Sequence, residues 1–354
     1  MPHTAVSDHR LGLLQRLASG PVVCAEGYLF ELERRGYLQA GAFVPEVVME
    51  HPDKVVQLHR EFVHAGSDVV EAFTYYAHRE KLRVIGKEDL LEPMNRQALA
   101  LASQVAADSG ALLAGNVCNT NIYDHDDAQA RRQIGAMFAE QIGWAAEGRV
   151  DFVIGETFWF AEEALMALEA IQRAALPSVI TLAAHRSGVT REGWTYAEAC
   201  RRLVDAGADV VGLNCTRGPA TMLPLLDDIV AAVGDTPVAA LPVPYRTTPA
   251  EPTFQSLRDP HYDGLPGGVP FPTALDPFVC NRYEIADFTI AAREAGVRYF
   301  GLCCGAAPHH VRSMAEALGM APPASRYSSD MSKHAFLGSD TALAPQEAGI
   351  GSKL

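Results

Sequence analysis

Short runs of apolar residues recur along the whole chain. Each is followed by a longer stretch in which apolar residues return every three or four positions. The runs are 21–27 (PVVCAEG), 68–75 (DVVEAFTY), 111–117 (ALLAGNV), 151–157 (DFVIGET), 178–184 (SVITLAA), 209–215 (DVVGLNC), 237–243 (PVAALPV) and 299–305 (YFGLCCG). Most are continuously apolar and do not alternate with polar residues, the pattern of parallel strands buried on both faces. Between them, 53–65, 161–174, 194–206 and 282–295 carry the spacing of amphipathic helices. The pairs Ala65-Gly66, Ala206-Gly207 and Ala295-Gly296 each stand just before a strand run. Glycine there fits the left-handed position that ends a helix. Eight such strand–helix units predict an α/β fold, a (β/α)8 barrel. The alternative, an open doubly wound sheet, would carry a glycine-rich phosphate turn after its first strand, and none follows 21–27.

Two stretches break the rhythm. Residues 247–277, rich in proline and glycine, are too long for an ordinary connection and predict a lid or binding loop after the seventh strand. Beyond Met320 the chain turns to Ala, Ser and Pro with little periodicity. The expected organisation is an N-terminal segment (1–10), a barrel (11–319) and a C-terminal arm or disordered tail (320–354).

Composition sharpens this picture. The 354 residues are 48% hydrophobic and 20% charged, enough for a sizeable core in one domain. Against 43 acidic residues stand 29 basic ones, a formal net charge of −14. Such a surface repels phosphate backbones and anionic lipid, so no nucleic-acid or membrane partner is expected. No apolar stretch approaches the roughly 20 residues that span a bilayer. The polar first ten residues lack a signal-peptide core, and a cytoplasmic protein is expected. The terminal Ser352-Lys353-Leu354 matches a peroxisomal address, a three-residue pattern that carries little weight.

The polar residues of the runs gather at their C-terminal ends: Glu26, Thr74, Asn116, Glu156, Asn214, Cys215, Cys303 and Cys304. In a barrel those ends surround one mouth, where catalysis takes place. Seven cysteines (Cys24, Cys118, Cys200, Cys215, Cys280, Cys303 and Cys304) have an odd count and no scaffold-like spacing. Free thiols or metal ligands are therefore expected rather than disulfides. Adjacent Cys303 and Cys304 would point to opposite faces of a regular strand. Both reach one metal only where the strand ends and turns, which flanking Gly301 and Gly305 permit. With Cys215 they offer three sulfurs and an open fourth position, the pattern of a catalytic zinc site. Thiolate ligands favour zinc over magnesium or calcium. Spacing alone leaves equally open that these cysteines are buried small hydrophobes, because no C-x-x-C pair announces a site. Glu71 and His185 are further candidates.

The runs Gly212-Leu213-Asn214-Cys215 and 301–305 (GLCCG) resemble the two signature motifs of the homocysteine S-methyltransferase family. Segments 31–41, 57–66, 72–82 and 296–310 extend the likeness, which is closest to the betaine–homocysteine branch. The resemblance implies that Cys215, Cys303 and Cys304 hold zinc and that homocysteine sulfur takes the open position. It further implies that Glu156 holds the homocysteine amino group, with Glu26, Gly27 and Asn214 in the same site. The nucleophile is then the homocysteine thiolate on zinc, and no protein side chain takes that role. A free thiol, with a pKa of about 8.5, is mostly protonated at neutral pH, and zinc removes that obstacle. The donor is a small onium: glycine betaine first, then dimethylsulfoniopropionate or S-methylmethionine, with methionine as product. Aromatic faces hold such cations. Phe43, Phe73, Tyr75, Tyr76, Phe158, Trp159 and Phe160 fall near the predicted mouth. Phe43 and Tyr76 match cage positions of the branch, and Phe158 and Trp159 complete the expected donor set.

The chain also departs from that branch. Glu26 stands for an Asp, Thr157 for a Tyr that can fill the open zinc position, and Phe43 for a larger indole. The donor pocket and the resting fourth ligand therefore differ. The alternatives are a methyltransferase acting on another thiol, one working with a separate corrinoid protein, and a non-catalytic zinc barrel. The branch assembles through a C-terminal arm, so a homo-oligomer, most simply a dimer, is expected.

Overall fold

The computed structural model describes residues 11–342, 349–351 and 353. The segment 1–10 and, of the terminal tripeptide, Ser352 and Leu354 lie outside the described residues. Eight parallel strands close into a barrel: β1 (Val22–Ala25), β2 (Val69–Glu71), β3 (Leu112–Cys118), β4 (Phe152–Phe158), β5 (Ser178–Ala183), β6 (Val210–Asn214), β7 (Val238–Leu241) and β8 (Val297–Leu302). β8 returns beside β1, with Val22 opposite Tyr299 and Ala25 opposite Leu302.

Helices wrap the outside for the reasons their sequences suggest. Pro52–Ala65 buries Val55, Leu58 and Phe62 on one side and ends at Gly66 in the left-handed region. Arg282–Ala295 starts at a reciprocal cap, in which Asn281 accepts from the backbone of Tyr283 and Glu284 while Glu284 accepts from Asn281. Inside the barrel, Val22, Cys24, Val69, Leu112, Ala114, Phe152, Ile154, Val179, Val210, Ala239, Leu241 and Tyr299 form a separate buried cluster. Leu13 and Leu17 of the first helix, Leu13–Ser19, join that cluster. The barrel is a packed core and not a pore.

Except for β3 and β4, the strands are shorter than the apolar runs. The second ends at Glu71, four residues before the run does, because the chain turns at Thr74, whose hydroxyl donates to the Asn116 carbonyl at 2.8 Å. The eighth starts at Val297 and ends at Leu302, which releases Cys303, Cys304 and Gly305 into a turn.

The long stretch after β7 contains three short 3-10 turns and is pinned near β6. The Phe254 amide donates to the Thr216 carbonyl at 2.8 Å, and Thr221 and Thr247 share a 2.6 Å hydroxyl pair. The chain after Met320 is fastened where it leaves the barrel: Ser325 donates to Glu316 at 2.8 Å and Arg282 to Ser329 at 2.8 Å. No helix among the described residues is long and apolar enough to cross a membrane.

Close strand approach is a testable feature of this barrel. A Cβ on Gly212 would lie 2.0 Å from the Ala239 carbonyl oxygen on β7. Gly212→Ala is expected to destabilise by about 2 kcal/mol or more in urea unfolding, the upper range of overpacking. On helix Ala128–Glu147, a Cβ at Gly143 meets nothing within 4 Å. Gly143→Ala should instead stabilise by roughly 0.5–1 kcal/mol. Equal effects at the two sites would contradict the described strand spacing.

Candidate active site at the barrel mouth

Side chains alternate inward and outward along a strand, so the barrel interior is read in steps of two. Above Cys24, Val69, Ala114 and Ile154 of the inner cluster come Glu26, Glu71, Asn116 and Glu156. The apolar core thus ends in a rung of acids and amides at the C-terminal mouth. The Asn116 side-chain amide donates to Glu71 at 2.5 Å and to Glu156 at 2.7 Å. The second Glu156 oxygen accepts from Asn214 at 2.7 Å and from the Thr157 hydroxyl at 3.0 Å. Glu26 is buried, and neither of its carboxylate oxygens has a partner.

Burial pushes all three carboxyls up, and charge repulsion from Glu156 adds to the rise at Glu26 and Glu71. Glu156, relieved by its amide donors, reaches about 7. The cleft above them is lined by Glu26, Tyr28, Leu29, Glu71, Ala72, Phe73, Tyr75, Asn116, Glu156, Cys303 and Cys304. Among the described residues, no lysine, arginine or histidine lines it.

Beside the acids lie three sulfurs. β7 holds both cysteine segments: the Cys215 amide donates to the Leu241 carbonyl at 2.9 Å and the Cys303 amide to the Pro242 carbonyl at 3.0 Å. Cys215 and Thr216 both adopt positive φ, 57° and 58°, a conformation that costs about 1 kcal/mol or more per residue outside glycine. The turn is held by the Thr216 hydroxyl on the Ala184 carbonyl at 2.6 Å, and by the Arg217 guanidinium on the carbonyls of Ala184, His185 and Thr221. On the other side, Gly305 has φ 92°, and a Cβ there would come within 2.2 Å of the Tyr245 hydroxyl. That hydroxyl accepts from Arg34 at 2.7 Å.

The Sγ atoms of Cys215, Cys303 and Cys304 all lie within 4.8 Å of one another, with Cys303 and Cys304 3.9 Å apart. Tetrahedral zinc with bonds of about 2.3 Å needs sulfurs about 3.8 Å apart, so the donor set fits. Thiol hydrogen bonds from Cys303 and Cys304 drive Cys215 well below the ordinary thiol range, which favours a thiolate there. Cys200 and Cys280 are pushed to about 12 by burial and stay protonated.

Gly27 lies where the loop after β1 crosses the loop after β8: a Cβ there would be 2.4 Å from the Ala306 carbonyl oxygen. Thr157, at φ 59°, is held by its amide on Asn214 at 2.9 Å and its carbonyl on Asn119 at 2.9 Å. This kink, with a register shift between Gly155 and Phe158, breaks the alternation along β4. Phe158 therefore points outward, fully buried against Phe138 of helix Ala128–Glu147 at 6.0 Å between rings. Its expected place in the donor set is corrected on that ground.

The other expected donor residues also lie off the cleft lining. Trp159 packs edge-on to His185, with Arg191 over its ring at 5.8 Å. Phe43 stacks on Phe30, which also meets Phe254 and Phe271 of the long loop. Tyr76 carries the Lys81 ammonium 4.0 Å from its ring centre and rests against Tyr75 at 4.3 Å. The aromatics that do line the cleft are Tyr28, Phe73 and Tyr75. Tyr28 gave no signal in sequence because it begins the short helix Tyr28–Arg34 outside any strand run. Glu71, two positions inward of Phe73, was legible from strand parity.

Residues 25–318 match the family described as homocysteine S-methyltransferase. An S-methylmethionine–homocysteine S-methyltransferase of Pongo abelii is 37% identical over 89% of this chain and 84% of its own. A betaine–homocysteine S-methyltransferase of Danio rerio is 36% identical over 93% of this chain and 80% of its own. The metallated form of the homocysteine methyltransferase MmuM from Escherichia coli shares the fold with a TM-score of 0.65 at 16% identity, covering 86% of this chain and 99% of that one. The chain belongs to the homocysteine S-methyltransferase family.

Proposed function

We propose that this protein transfers a methyl group from a small onium donor to homocysteine, forming methionine, with zinc held by Cys215, Cys303 and Cys304. The observation that carries this reading is the convergence of three sulfurs beside an acid-lined cleft that, among the described residues, contains no cationic side chain. Zinc bound there supplies the Lewis acidity that keeps a substrate thiol deprotonated at neutral pH.

The chain's own groups do the rest. Glu156, fixed by Asn116, Asn214 and Thr157, receives the homocysteine ammonium, and Glu26 lies within reach of the same group. Gly27 keeps the loop after β1 close to the Cys304 turn. A sulfonium or quaternary ammonium cannot donate hydrogen bonds from its charged centre, so aromatic faces must receive it. Tyr75, Tyr28 and Phe73 offer those faces on the cleft, Tyr76 supports Tyr75, and Phe43 packs on Phe30 instead. Glycine betaine, dimethylsulfoniopropionate and S-methylmethionine are the donors to test. A homo-oligomer is supported by Tyr327, Met331 and Leu337, which leave apolar surface exposed beyond the barrel.

Purified protein is expected to carry about one zinc per chain. Cys303→Ala should lose metal and turnover together, while Cys200→Ala keeps both; full turnover in Cys303→Ala would refute the zinc assignment. Steady-state kinetics should separate the half-sites. Tyr75→Ala is expected to raise the donor KM by roughly 2- to 30-fold, the scale of one desolvated aromatic face, with a smaller effect from Tyr76→Ala. Glu156→Gln should raise the homocysteine KM about tenfold or more and leave zinc in place. If Tyr76→Ala proves the more damaging substitution, the donor sits outside the cleft as lined here. Removing residues 327–354 should convert the oligomer to a monomer in sedimentation velocity, and an unchanged profile would exclude the tail as the contact.

A further inference from the structure

We propose that Glu71 completes, with Glu26 and Glu156, a three-carboxylate receptor for a primary ammonium group, and that this receptor restricts the acceptor to α-amino thiols. The proposal rests on the reading that homocysteine is the acceptor, and it assigns a role to a residue that reading leaves unused.

Geometry is the first support. A primary ammonium has three N–H donors, and its charge-assisted bonds of about 2.8 Å require three acceptors about 4.6 Å apart. A Glu26 oxygen lies within 4.8 Å of a Glu71 oxygen, and one likewise within 4.8 Å of a Glu156 oxygen. Glu71 and Glu156 are linked through one nitrogen of Asn116, at 2.5 and 2.7 Å, so their separation cannot exceed those two bonds laid end to end. Glu26 is thus spaced from each of the other two carboxylates as one –NH3+ group requires, and Asn116 holds those two beside each other.

Unmet hydrogen-bonding capacity is the second. Glu26 is only 7% exposed, lines the cleft, and has no partner for either oxygen. A buried carboxylate is retained without a partner only where something outside the chain supplies one. Glu71 uses one oxygen on Asn116, and no cationic side chain lines the cleft among the described residues. The missing positive charge must come from a ligand.

Chemistry narrows the ligand. A quaternary ammonium or sulfonium presents methyl groups and no N–H, so it would leave Glu26 desolvated and unbonded and add no hydrogen bond to Glu71 or Glu156. The acids therefore take the acceptor's ammonium, and the onium is left to the aromatic faces of Tyr28, Phe73 and Tyr75. One cleft sorts two cations by whether they can donate a hydrogen bond.

The test is a two-by-two comparison on the zinc-loaded full chain: wild type and Glu71→Gln, each titrated calorimetrically with homocysteine and with its desamino analogue γ-mercaptobutyrate. Gln keeps an oxygen for Asn116 and removes a buried charge, so the variant should melt no lower than wild type. Glu71→Gln is expected to weaken homocysteine roughly tenfold or more, the scale of one charge-assisted hydrogen bond, and to leave γ-mercaptobutyrate within about twofold. Equal weakening of both ligands, or no change for homocysteine, would overturn the receptor. Wild-type methylation of homocysteine with such a null comparison discards the receptor alone. A wild type that neither binds nor methylates homocysteine discards the acceptor assignment and the receptor with it.

Discussion

The mouth of this barrel gathers negative charge where none of the described residues that line it is positive. Glu26, Glu71 and Glu156 sit buried beside three thiols, and amide donors from Asn116 and Asn214 only partly offset them. Isolated buried charges are too costly to persist unpaired, so the acids are pushed toward their protonated forms. On the proposed reading, zinc and the homocysteine ammonium bring the compensating charge. The cleft is therefore organised around ligands that are cations or carry one.

Holding such a site requires strain elsewhere, and the strain is local. Cys215, Thr216 and Thr157 all take positive φ without being glycine. Thr157 and Thr216 are clamped by side-chain hydrogen bonds, and Cys215 by its amide on the Leu241 carbonyl, rather than by their own propensity. Asn214 couples two of these places: its carbonyl oxygen receives the Thr157 amide and its nitrogen donates to Glu156, one residue before Cys215. β7 supplies the backbone acceptors that align Cys215 with Cys303. On the proposed reading, a connected set of contacts on β4, β6, β7 and β8 positions homocysteine's two ends, sulfur and ammonium.

Much of this was legible in the sequence. Continuous apolar runs followed by amphipathic stretches announced the eight strands, since strands buried on both faces leave no room for polar residues. The polar ends of those runs located the mouth. What the sequence could not convey was where alternation fails. Thr157 breaks the side-chain alternation of β4, so Phe158 turns outward to Phe138 although parity places it inward. Aromatic residues near the mouth were likewise ambiguous, because Lys81 over Tyr76 and Phe30 against Phe43 are contacts between distant segments. Tyr28 lay hidden because it falls just past the first strand run and begins a helix. Side-chain direction at a strand's end depends on backbone geometry that composition does not encode.

The central claim is that three cysteines hold one zinc and leave its fourth position to the substrate's sulfur. Zinc-edge X-ray absorption on the purified protein, before and after adding homocysteine, tests this without reference to any donor. The account predicts three sulfur neighbours at about 2.3 Å, rising to four when homocysteine is added. A sulfur count that stays unchanged on saturation with homocysteine, or a resting site with four cysteine sulfurs, would contradict it.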